Sequence, residues 1–103
     1  MADSLLTPDL EVDLEFLERQ EIGLGTSMPN GFQASCVLTE TERGSVAICA
    51  IVVDGDPIRP GEWRRVSLVL EPPESAARLR EARRFFLRIG HLLVAKATVV
   101  SDA

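Results

Sequence analysis

The stretch ARLREARRFFLRIGHLLVAKATVV, residues 77–100, decides the architecture. Leu79, Ala82, Phe86, Ile89 and Leu93 recur in it at helical spacing, which predicts the buried face of an amphipathic helix. Arg80, Arg84, Arg88 and His91 follow a separate line at i, i+4, i+8 and i+11. Glu71-Pro72-Pro73-Glu74 stops a preceding strand and starts the helix, because proline suits the first helical position and carboxylates favour the positive end of the helix dipole. Gly90 leaves two endings. It closes the helix and releases LLVAKATVV (92–100) as a last strand, or it allows close packing within one helix that ends near Ala97. We read the longer helix.

Upstream, the pattern changes to period two. Leu10, Val12, Leu14 and Phe16 alternate with Glu11, Asp13 and Glu15, as in a half-buried strand. Thr7-Pro8 leaves a helical reading of the same residues open. Asn30-Gly31 predicts a tight reversal, after which Phe32, Ala34, Cys36 and Leu38 share one face. TERG (41–44) supplies the next turn. SVAICAIVV (45–53) is apolar on both faces of a strand and predicts the central strand. DGDPIRPGE (54–62) reads as a compact loop of turns. In the strand that follows, Val66, Leu68 and Leu70 point one way, and Trp63, Arg65, Ser67 and Val69 the other. The expected fold is α+β: a mostly antiparallel, four- to five-stranded meander sheet with one long C-terminal helix packed on one face. Residues 1–8 are expected to fray, and 9–103 to form a single domain.

With 103 residues, 46% hydrophobic and 26% charged, the chain can bury one core without staples. No apolar run is long enough to cross a bilayer, and MADSLLTP lacks the form of a signal peptide, so a cytoplasmic protein without membrane contact is expected. The net charge of −5 is unevenly spread. Residues 1–21 hold seven acids against Arg19, whereas residues 59–96 hold nine bases against four acids. Mutual neutralisation of the two halves is the simpler reading; partners of opposite charge are the alternative.

Residues suited to catalysis are scarce. His91 is the only histidine and tyrosine does not occur, so proton transfer near neutral pH has few carriers. Asp54-Gly55-Asp56 is followed by Pro57 and Ile58 where a calcium loop needs oxygen ligands. Gly23-Leu24-Gly25 lacks the third glycine of a dinucleotide fingerprint. No catalytic residue, metal or cofactor is therefore expected. Cys36 and Cys49 read as buried, reduced thiols; turning the hairpin around TERG would place them opposite each other, which leaves a cross-strand disulfide open.

What remains is binding. The leading expectation is a non-enzymatic protein–protein interaction module, an adaptor, assembly component or inhibitor, with another protein as partner and with homodimerisation to cover the free sheet face and edge. Arg80, Arg84 and Arg88, with Trp63, Arg64 and Arg65, are the expected contact residues, because arginine and tryptophan dominate interface energetics. A small-ligand or nucleotide-phosphate sensor using these arginines is the alternative. A further alternative has the acidic surface of Glu11, Asp13 and Glu15 imitate a nucleic-acid backbone and inhibit a nucleic-acid-binding protein. Direct nucleic-acid binding is not expected of an acidic chain whose Phe86 is assigned to the core.

Overall fold

The computed structural model describes residues 8–17, 27–41, 44–90 and 92–100. Most of the expected frayed segment, the Gly23–Gly25 pair and His91 lie outside the described residues. The chain runs β1 (Leu10–Phe16), β2 (Gln33–Val37), β3 (Ala47–Val52), β4 (Trp63–Glu71), α1 (Ser75–Ala82), β5 (Arg84–Ile89) and β6 (Leu92–Val99). The strands close into an antiparallel barrel in the order β1-β4-β3-β2-β5-β6, with β6 pairing back to β1.

The open sheet with a long C-terminal helix is thus overturned. Helix α1 has eight residues, and the rest of the expected helix is a hairpin of two strands. The cause lies in the arginine spacing itself. Positions i and i+4 share a side in a helix and also in a strand, where every even offset returns to the same face. Arg84, Phe86 and Arg88 are accordingly on the outside of β5, and buried Phe85 and Leu87 are on the inside. The last helical hydrogen bond runs from the Arg83 N–H to the Leu79 carbonyl, 2.9 Å. Arg83 then takes φ +70°, a left-handed turn that ends the helix and starts β5. Gly90, at φ +60°, turns β5 into β6 and so closes a hairpin rather than a helix.

β1, β2 and β4 carry the expected faces, and β3, apolar on both sides, turns Ala47, Cys49 and Ile51 inward. β1 buries Leu10, Val12, Leu14 and Phe16, and β4 buries Val66, Leu68 and Leu70. Ala34, Cys36, Cys49 and Ile51 face the same interior, joined by Phe85, Leu87, Val94 and Ala97 of the second hairpin. Both barrel ends are closed by apolar side chains. At one end α1 contacts β4 and β5 and buries Ala76 and Leu79. At the other, Met28 and Ile58 are fully buried and exchange backbone hydrogen bonds of 2.7 and 3.0 Å. Asn30-Gly31 forms the expected turn, with Gly31 at φ +87°, and the Asn30 Oδ1 accepts the Val53 N–H at 2.8 Å. No helix among the described residues is long and apolar enough to cross a membrane.

Candidate functional site

A closed barrel has one buried face, so each strand turns a column of side chains outward. These columns are β1 (Glu11, Asp13, Glu15), β4 (Trp63, Arg65, Ser67, Val69, Glu71), β3 (Ile48, Ala50, Val52), β2 (Gln33, Ser35 and Val37, the last of them buried), β5 (Arg84, Phe86, Arg88) and β6 (Lys96, Thr98). The order of the strands therefore decides which expected contact residues meet.

They do not form one patch. β4 and β5 lie on opposite walls, separated by two strands in either direction, so Trp63 and Arg65 face away from Arg84 and Arg88. Arg80 sits on α1 and donates from Nη2 to the Asp9 carbonyl at 2.9 Å, tying the end cap to the start of β1. Asp9 also accepts the Leu70 N–H at 2.8 Å. Arg64 points to the loop below β4, where it donates to the Asp56 carbonyl and to Glu62 Oε2, both at 2.8 Å. The backbone N–H of Arg59 and the Arg64 guanidinium hold the Glu62 carboxyl below its ordinary pKa. Trp63 is 62% exposed beside Glu15.

The acidic column is interleaved with cations. Asp13 faces Arg65 across β1–β4, and the guanidinium donates to both carboxylate oxygens at 2.9 and 3.2 Å. Glu15 stands opposite Lys96 across β1–β6. At this point the two oppositely charged halves of the chain lie against each other. Hydrogen bonding from Arg65 lowers the Asp13 pKa below its ordinary 3.8, against a smaller opposing effect of burial. A depressed folded-state pKa stabilises above the unfolded value and loses that contribution as pH falls through the folded value. The pair is exposed, so the effect is small. Asp13→Asn should melt slightly below the wild type at neutral pH, and the gap should close progressively below about pH 3.8; thermal melts across acid pH measure it.

The cysteines are buried free thiols. Ala34 faces Cys49 and Cys36 faces Ala47, so the hairpin register differs by two residues from the one that would place the thiols opposite. They are diagonal neighbours in the interior, and their mutual hydrogen bond, followed by burial, pushes the Cys36 thiol far above its ordinary pKa. A thiol held neutral and out of solvent is a poor nucleophile. Neither cysteine should react with iodoacetamide in the native state, and both should react after unfolding; mass spectrometry distinguishes the two states.

The columns of β2 and β3 differ from the others: they contain no charge. On them Ile48 is 51% and Val52 38% exposed, with Ala50 half-buried between and Val69 beside it on β4. A shallow groove of about 220 Å³ runs alongside, lined by Gln33, Ser35, Ile48, Arg88 and Ile89. The signal for this wall was present in the sequence as the doubly apolar run 45–53. A barrel covers only the inner side. No protein-family model matches the chain, and no curated protein is significantly similar to it. The site therefore rests on its own residues.

Proposed function

We propose that this domain is a non-catalytic protein-binding module whose contact surface is the β2–β3 wall. The exposure of Ile48 and Val52 on two adjacent strands whose own outward side chains carry no charge, with Glu71 of β4 beside Ile48, carries the reading. Interfaces of this kind have an apolar centre depleted in charge and a polar rim rich in arginine. Arg65 on β4 lies to one side of the wall, and Arg84 and Arg88 on β5 to the other, so the arginines expected to make contact serve as rim rather than centre. Imitation of a nucleic-acid backbone by the β1 column is less favoured, because Arg65 and Lys96 stand directly opposite two of its three carboxylates.

The test is affinity capture with the wild type, Ile48→Glu and Arg84→Glu, followed by titration of the purified partner in a calorimeter. Ile48→Glu should weaken binding by at least about tenfold and Arg84→Glu by less, with circular dichroism unchanged. Equal affinity of wild type and Ile48→Glu would remove the wall from the function.

A further inference from the structure

We infer that the β2–β3 wall is occupied by a second copy of this chain, packed face to face about a two-fold axis. This rests on the reading of that wall as a contact surface, and it follows from three features.

First, closure of the barrel leaves no free edge among the described strands, so a second copy packs on them through side chains rather than by strand pairing. Second, residues near a two-fold axis meet their own counterparts. A dimer through β1 would set Glu11, Asp13 and Glu15 against themselves, and one through β5 would do the same with Arg84 and Arg88. The β2–β3 wall is itself uncharged and is flanked by charges of opposite sign, Glu71 opposite Ile48 on β4 and Arg88 opposite Ser35 on β5, so an axis running between β2 and β3 sets Glu71 of one copy toward Arg88 of the other and avoids like-charge contacts. Third, the shape is self-complementary. Ile48 is the cross-strand partner of Ser35, so the projecting side chain stands at the groove that Ser35 and Gln33 also line. An axis passing between Ile48 and Ser35 seats each copy's Ile48 in the other's groove, and Val52 extends the apolar contact along β3.

Sedimentation equilibrium on the full chain tests this. The wild type should show a concentration-dependent monomer–dimer equilibrium that holds or tightens as salt is raised, because screening relieves the repulsion between two acidic molecules. Ile48→Glu and Ile48→Lys should each weaken dimerisation by at least about thirty-fold. Mixing them should restore a heterodimer, a result that a misfolded variant could not give. Under mild oxidation Ser35→Cys should crosslink two copies, whereas Ser67→Cys, on the outside of β4, should not. A monomer at all concentrations would overturn the inference. So would a dimer that dissolves with salt, ignores both Ile48 variants, or crosslinks through Ser67→Cys alone. If the protein is monomeric while Ile48→Glu still abolishes binding of a captured partner, the wall remains a contact surface and only the second copy is excluded. If neither depends on Ile48, both readings fall.

Discussion

Phe85→Ala is expected to lower the free energy of unfolding by about 3–5 kcal/mol, and Phe86→Ala by about 1 kcal/mol. Phe85 is 1% exposed in the barrel interior, where truncation removes its transfer free energy and leaves a cavity among Leu14, Leu87 and the other inward side chains. Phe86 is half-buried on the outside of β5, beside Val37 and Lys96, and has much less to lose. Domains of this size are stable by only about 5–15 kcal/mol, so the first substitution consumes a large share of the total and the second does not. Urea titrations of the two variants against wild type measure the difference. The helical periodicity of 77–93 makes the opposite forecast, since it assigns Phe86 to the core. A larger loss at Phe86 than at Phe85 would exclude the barrel.

Leu79→Ala is expected to cost about 2–5 kcal/mol. The reason is the position of α1 across one end of the barrel. Leu79 is fully buried, while Arg78 and Arg80 on either side are exposed. An eight-residue helix has little stability of its own, so its docking depends on the side chains it buries. Ala82, three residues on, is exposed, and Ala82→Ser should change stability by no more than about 0.5 kcal/mol. Comparing denaturation midpoints at constant m-value gives both numbers. A cost below about 1 kcal/mol at Leu79 would mean that α1 is not packed as a cap.

These two substitutions mark where the sequence could be read and where it misled. Leu79 belongs to the core in the helical reading and in the structure, because α1 does form. The two part first at Ala82, which the helical spacing assigns to the core and which is exposed at the end of α1, and again past Arg83 at Phe86, which faces outward. Nothing in the local pattern signals that break: an arginine at φ +70° is uncommon, and residues 84–89 fit a helical face as well as they fit alternation. The candidate site shows a related difficulty. Ile48, Ala50 and Val52 were legible as apolar, but their exposure depended on whether anything covered the outer side of β3. The arginines were legible as a group, and the barrel distributed them over α1 and two opposite walls.

The sequence by itself determined the faces of β1, β2 and β4, the turn at Asn30-Gly31 and the buried state of the two thiols. Each of these follows from alternation or turn chemistry within a few residues, and a polar–apolar alternation admits a single inward side once one face is buried. Only the tertiary structure decided that residues 84–89 and 92–99 are strands, that β6 pairs with β1 and β5 with β2, and that the outer side of β3 is open. Those outcomes depend on partners far apart in the chain. Six strands satisfy both edges of one another only when the last hairpin bridges β1 and β2, and the backbone hydrogen bonds gained by that closure outweigh a local periodicity that a helix would have satisfied equally well.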